Sequence, residues 1–218
     1  GMTRNLILGI EVVLSDGEII SSMKKITKDN SGYDIKQLFI GSEGTLGIIS
    51  NVIFKLEEKP SSRFSALAGL TNYENVINFL KFMQKGLSGS LSGFELIWKE
   101  TYKTMRDSSS EYSSLLDTNF PYYVIIELLG SDPDNDYKRL SELINSAIEE
   151  NILEDALLAQ NERELKMIWT LREDVSVLAK KSTYDQHFDI SLPIPVIENE
   201  VNIAIKKLNK LPYVENIF

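Results

Sequence analysis

A glycine-rich segment between two apolar runs is the part of the sequence best suited to chemistry through its backbone. Gly41, Gly44 and Gly47 fall within seven residues, between apolar residues 38–40 and 48–49. Glycine has no Cβ, so it adopts positive φ and lets other groups approach closely. Such a loop can hold an anion or the edge of a flat cofactor against bare N–H groups. The alternative is a tight turn between two strands, in which glycine is needed for φ alone.

Arg172 is the candidate for recognition of a carboxylate. Its guanidinium is a planar fork that matches a carboxylate with two parallel hydrogen bonds. A surface ion pair with Glu164 or Glu173 explains the same residue without any ligand, and on composition alone it is the simpler interpretation.

His187 is the single histidine of the chain. A protonated histidine is a cationic donor, and the alternative is a solvent-facing side chain without a role. One histidine with Asp185 and Asp189 nearby does not make a sound metal site, so no metal is predicted. No nucleophile is placed for a Ser–His–Asp arrangement, and no catalytic residue is assigned.

The apolar periodicity predicts the elements that position these residues. Strands are predicted at 6–14, 18–20, 48–56, 64–70, 93–98, 122–129, 154–159 and 188–192. Helices are predicted at 33–38, 75–85, 100–107, 133–151, 162–181 and 196–208. The helix 162–181 would place Ser176 on the same face as Arg172, four residues away. The segment 38–49 is predicted as strand, turn and strand.

The pattern of predicted elements changes near residue 60 and divides the chain in two. Residues 57–63 are polar and contain Pro60, which predicts a boundary between residues 1–59 and 60–218. After it, strands and helices alternate, which favours a sheet covered by helices on one face.

The bulk composition excludes several classes of protein. The chain has 218 residues, 43% hydrophobic and 25% charged, with a net charge of −9 and no cysteine. An acidic chain without a dense basic run is not typical of nucleic-acid binders. No apolar run reaches the roughly 20 residues of a membrane span. The lack of cysteine fits a reducing compartment, so a cytoplasmic location is expected.

Several motifs in order carry a resemblance to a known family. They are residues 8–17, 33–34, the glycine-rich segment, Gly93-Phe94-Glu95-Leu96-Ile97-Trp98, Ile168-Trp169-Thr170-Leu171-Arg172-Glu173 and Phe188-Asp189-Ile190-Ser191-Leu192-Pro193. Together they resemble the FAD-linked D-2-hydroxyacid dehydrogenases and oxidases of the vanillyl-alcohol-oxidase superfamily. That family includes D-lactate dehydrogenase, glycolate oxidase and D-2-hydroxyglutarate dehydrogenase.

The resemblance implies an α+β fold and a function. Residues 1–59 would be the second half of a PCMH-type FAD-binding domain, and residues 60–218 a cap domain with an antiparallel sheet covered by helices. The implied activity is oxidation of a small D-2-hydroxyacid to the 2-oxoacid by FAD. The implied FAD contacts are Gly41, Ser42, Glu43, Gly44, Gly47, Ile48 and Ile49. The implied substrate contacts are Arg172, Ser176 and His187, the last at a position where several relatives carry lysine.

The resemblance also implies parts that this sequence lacks. The family has a pyrophosphate loop upstream and a His-rich segment downstream, so a central fragment with a truncated cap is expected. FAD is then expected to be absent or weakly bound, and independent activity absent. The alternative is a split-gene subunit that a complementary polypeptide completes. Weak self-association through unpaired strand edges is expected, and the resemblance allows a peripheral link to the inner membrane through an electron acceptor.

Overall fold

The computed structural model describes residues 2–181, 186–214 and 217–218. The chain forms two compact units, Gly1–Lys59 and Pro60–Phe218. The division falls inside the polar segment 57–63.

The first unit is built on a three-stranded antiparallel sheet. Its central strand β1 (Ile7–Val13) pairs with β2 (Ile19–Ser22) on one side and with β3 (Ile48–Phe54) on the other. A short helix α1 (Lys36–Phe39) precedes the glycine-rich segment. A 3-10 helix, Thr3–Leu6, leads into β1. The small core consists of the buried side chains Ile7, Ile10, Val12 and Phe39.

The second unit contains a four-stranded sheet in which every pairing is antiparallel. The strands are β4 (Ser62–Leu70), β5 (Leu91–Trp98), β6 (Tyr122–Gly130) and β7 (Asp155–Leu158), in the order β5-β6-β4-β7. The two central strands are the apolar ones, since buried strands need apolar side chains on both faces.

Helices cover both faces of this sheet, so the expected single covered face is wrong. The helices of the unit are α2 (Tyr73–Leu87), α3 (Lys99–Arg106), α4 (Pro133–Glu149), α5 (Glu162–Glu173), α6 (Ser176–Ala179) and α7 (Ile197–Leu208). Ala66 and Ala68 of β4 share a core with α2 and α4. The intervening Leu67 shares a second core with α3 and α5. Successive residues of a strand point to opposite faces, and here each face has its own core. Short 3-10 helices occupy Ser88–Ser90, Ser110–Ser114 and Ile194–Val196.

A stacked tyrosine pair anchors α3 to the sheet. The rings of Tyr102 and Tyr123 lie 3.5 Å apart and nearly parallel. Burial raises the pKa of both phenols, so they stay protonated. Tyr102 donates to the carbonyl of Leu116 at 2.6 Å and Tyr123 to that of Asp117 at 2.5 Å. The pair therefore holds the irregular segment between α3 and β6 against the core.

Two predicted elements of the second unit differ from the structure. The helix predicted over 162–181 ends at Glu173, and α6 is a separate helix. The break is local, because Ser176 Oγ donates to the carboxylate of Asp174 at 2.5 Å, and such bonds compete with helix formation. The strand predicted at 188–192 does not form, and this segment is largely exposed. Within the described residues, no helix combines the length and apolar composition that a bilayer span needs.

Candidate functional site

The glycine loop, residues 41–47, connects α1 to β3. The run before it is helical, so the predicted strand–turn–strand arrangement is wrong on its first side. Gly41 has φ of 89° and Gly44 has φ of 78°, values at which other residues are strained. The N–H of Ser42 donates to the carbonyl of Phe39, and the N–H of Thr45 to that of Ser42. These bonds close two successive turns that require glycine.

The third glycine is required by close packing. A Cβ on Gly47 would lie 2.6 Å from Cγ1 of Val12 and 3.0 Å from the carbonyl oxygen of Val13. At the other end, Arg4 Nη2 donates to the carbonyl of Ile40 at 2.7 Å. The loop is therefore fixed to the first unit at both ends.

We expect Gly47→Ala to destabilise the first unit by about 1–3 kcal/mol, because the added methyl group overpacks a buried contact with Val12. Faster hydrogen exchange of the β1 amides would report this loss. Gly89→Ala is the matched control, since a Cβ there meets nothing within 4 Å. Unchanged exchange in Gly47→Ala would contradict the packing argument.

The surface of the glycine loop combines exposed backbone with exposed apolar side chains. Gly41, Glu43 and Gly44 are exposed. Leu46 and Ile48 beside them are 53% and 64% exposed. Exposed backbone at glycine next to exposed apolar side chains suits a flavin, whose ring is flat and whose edge carries hydrogen-bonding atoms.

A second cluster of polar groups lies in the second unit, around Arg172 in the last turn of α5. Arg172 Nε lies 3.4 Å from Oε2 of Glu95 on β5, and the two side chains are 53% and 39% exposed. Arg172 does form a surface ion pair, but its acid is Glu95 and not Glu164 or Glu173. Glu164 instead accepts from the N–H of Gln160 and contacts the N-cap Asn161. The partner of Arg172 thus comes from a distant strand.

Trp169 lies three residues before Arg172 and fixes α5 to the sheet. Its Nε1 donates to Ser65 Oγ of β4 at 2.9 Å. A Cβ on Gly93 would lie 3.3 Å from Trp169 Cη2, so the glycine of β5 makes room for the indole. The guanidinium carbon of Arg63 lies 5.7 Å from the Trp169 ring, within the range of a cation–π contact.

Glu127 is a buried carboxylate that sequence reasoning did not assign. It accepts from Arg63 Nε through Oε1 and from Ser92 Oγ through Oε2, each at 2.6 Å. It pairs with Gly93 on one side and Ser65 on the other, so the three residues form one row across the sheet. The sequence feature that could have identified Glu127 is that it is the single charge inside the apolar run 122–129.

The other predicted substrate residues, Ser176 and His187, do not belong to α5. Ser176 lies on α6 and bonds Asp174, so its expected position on the same helix face as Arg172 is wrong. His187 is exposed, and its carbonyl accepts from the side chain of Gln186. Asp185 lies outside the described residues. Among the residues that the structure describes, no group of three acidic, histidine or cysteine side chains could hold a metal.

Comparison with known proteins identifies the second unit. Residues 59–212 match the family model of the FAD linked oxidases, C-terminal domain. A mitochondrial protein of Schizosaccharomyces pombe, named as a putative D-lactate dehydrogenase, is 38% identical over 95% of this chain and 40% of its own length. Mitochondrial D-2-hydroxyglutarate dehydrogenase of Bos taurus is 36% identical over 89% of this chain and 35% of its own. The chain thus spans about two-fifths of these relatives.

Solved structures agree on the fold. An alkyldihydroxyacetonephosphate synthase matches with a TM-score of 0.57 and 14% identity, over 83% of this chain and 34% of that one. A p-cresol methylhydroxylase with substrate bound matches with a TM-score of 0.51 and 12% identity, over 70% of this chain and 34% of that one. The predicted α+β fold class is confirmed.

The names of both sequence relatives place those proteins in mitochondria, which gives no support to the cytoplasmic location expected from the sequence. The match over 59–212 covers most of the chain, and the three motifs that follow residue 59 lie within it, whereas residues 8–17, 33–34 and the glycine-rich segment precede it. The chain belongs to the family of FAD linked oxidases, and it carries their C-terminal domain.

Proposed function

We propose that this chain is part of a FAD-dependent oxidoreductase that converts a D-2-hydroxyacid, such as D-lactate, glycolate or D-2-hydroxyglutarate, to the 2-oxoacid. The observation that carries the proposal is the half-exposed side chain of Arg172, in a chain of the FAD linked oxidase family. The names of two relatives, a D-lactate and a D-2-hydroxyglutarate dehydrogenase, support the substrate class.

Arg172 is proposed to bind the substrate carboxylate. Glu95 occupies Nε only, so the outer edge of the guanidinium, formed by its two Nη groups, suits a bidentate carboxylate. Ser176 and His187 are proposed as further contacts, through hydroxyl and imidazole hydrogen bonds. The unit 60–218 would then be the substrate-binding cap.

The glycine loop is proposed to contact FAD. Gly41, Glu43, Gly44 and Gly47 would present backbone N–H groups, with Ser42, Ile48 and Ile49 beside them. Residues 1–59 would then form one wall of the cofactor site. The chemistry that bound FAD supplies is acceptance of a hydride from C2 of the substrate. The residues of this chain would position the carboxylate.

Completion of the chain by a separate polypeptide is not favoured by the relatives. In each, the matched segment is part of one longer sequence.

Titration of the purified chain with D-lactate, followed by NMR, tests the substrate proposal. Saturable shifts of signals from α5 are expected, with a dissociation constant in the millimolar range. Propylene glycol, which lacks the carboxylate, is the control ligand. Identical shifts with both ligands, or none with D-lactate, would contradict the proposal.

A parallel titration with FAD tests the cofactor proposal. Weak binding is expected, so partial quenching of flavin fluorescence should appear at high concentrations of the chain, and Thr45 and Leu46 signals in the glycine loop should shift. Dye-coupled oxidation of D-lactate after FAD addition measures whether this chain also turns the substrate over. A chain that leaves flavin fluorescence unchanged would contradict the assignment of the glycine loop.

A further inference from the structure

We infer that Glu95 is a positioning residue that orients the guanidinium of Arg172 for the substrate carboxylate. This inference rests on the proposed function. Its basis is the contact of 3.4 Å between Arg172 Nε and Glu95 Oε2, which joins the last turn of α5 to β5.

Stability does not account for this pair. Both side chains are close to half exposed, and ion pairs in such positions contribute little to folding because water screens them. The arginine side chain has many rotamers, and a carboxylate at Nε restricts them. The pair is therefore better explained by the orientation that it imposes on the guanidinium.

The contact leaves the binding edge of the guanidinium available. Glu95 engages Nε, whereas Nη1 and Nη2 form the outer edge, which matches the two oxygens of a carboxylate. Within residues 2–181 and 186–214, Glu95 is the ion-pair partner recorded for Arg172. Glu95 therefore holds the guanidinium at Nε and leaves its two Nη groups available to a carboxylate.

The elements on either side of the pair are rigid. Glu95 lies opposite Ile125 in the interior pairing of β5 with β6. Trp169, on the same face of α5 as Arg172, is tied to Ser65 of β4. Because β5 is part of the sheet and α5 is fixed to it, the position of Glu95 determines the position of the guanidinium.

The negative charge of Glu95 also repels an anionic ligand, and this effect opposes the positioning effect. A neutral variant would change both at once. Glu95→Asp retains the charge but is one carbon–carbon bond shorter, so it loses the contact with Arg172 alone. This variant separates positioning from electrostatics.

The test is an NMR titration of the full chain with D-lactate in three forms: wild type, Glu95→Asp and Glu142→Asp. Glu142 is the control, since it forms an exposed ion pair with Lys138 at 3.8 Å on α4. Glu95→Asp is expected to weaken binding roughly threefold to fivefold. Glu142→Asp should leave the affinity unchanged. The Nε–Hε signal of Arg172 should shift and broaden in Glu95→Asp before any ligand is added.

The outcomes separate this inference from the proposed function. Equal affinity of wild type and Glu95→Asp would overturn the positioning role and leave the substrate proposal standing. Absence of binding to the wild type would overturn the substrate proposal, and the positioning role with it. A shifted Arg172 signal with unchanged affinity would show a contact without a function, and would also overturn the inference.

Discussion

Replacement of Arg172 by methionine is expected to weaken binding of D-lactate about 10-fold to 100-fold, the loss that follows when charge-assisted hydrogen bonds to an ionised group are removed. Methionine retains much of the aliphatic stem, so packing at the end of α5 is largely kept. The Arg172 side chain is half exposed, and folding should therefore change little. The measurement is the same NMR titration, with the melting temperature recorded for each variant.

Arg163→Met is the matched control for this experiment. Arg163 lies in the first turn of the same helix and is exposed. The two variants change the net charge equally, so general attraction of an anion falls by the same amount in both. A loss of affinity as large in Arg163→Met as in Arg172→Met would show that net charge, and not a site, binds the ligand.

The sequence predicts the sheet and most helices because their signals are local. The apolar run 122–129 becomes β6, and Asp132-Pro133 begins α4 as predicted. Asp132 caps that helix by accepting from the N–H of Asn135, the role that its residue type favours. Each of these features depends on neighbours within a few residues.

Features that depend on distant residues could not be predicted in this way. The partner of Arg172 is Glu95, 77 residues earlier, and acidic neighbours on the same helix are the only candidates that spacing offers. The segment 188–192 alternates like a strand, but a strand also needs a partner for its ladder, and local sequence does not supply one. By contrast, the sequence did carry a signal for coverage of both sheet faces, because the run 122–129 is almost continuously apolar, which is typical of a strand buried on both faces.

The glycines also show which features local sequence predicts and which depend on distant residues. Gly41 and Gly44 stand out in the sequence because they cluster, and their positive φ explains them locally. Gly93 and Gly130 stand alone in strands, and the side chains that exclude a Cβ there come from other elements. Only the assembled sheet shows what these two glycines are for.

Gly130, at the end of β6, makes room for the buried carboxylate of Asp136. A Cβ at this position would lie 2.1 Å from Asp136 Oδ2. That oxygen accepts from Ser62 Oγ at 2.6 Å and from the N–H of Asp132 at 3.0 Å. One carboxylate therefore joins the start of β4 to the first turn of α4, and glycine is the residue that permits it.

Gly130→Ala is expected to cost about 3–5 kcal/mol of unfolding free energy, because it displaces a buried carboxylate from both of its donors. Asp136→Ala should cost about 2–4 kcal/mol, since it leaves the Ser62 hydroxyl and the Asp132 N–H without their acceptor. Urea denaturation of the second unit measures both, and Gly89→Ala again serves as the control.

The double variant, Gly130→Ala with Asp136→Ala, decides whether Gly130 acts through Asp136. Once the carboxylate is gone, the methyl group introduced at position 130 no longer meets Oδ2, so the combined cost should fall short of the sum by up to about 3 kcal/mol. Additive costs would mean that the substitution of Gly130 disturbs the β4–β6 ladder itself, independently of the carboxylate. Strong coupling would show that the space left by the missing Cβ of Gly130, which the local sequence does not reveal, allows the Asp136 carboxylate to fix α4 to the sheet.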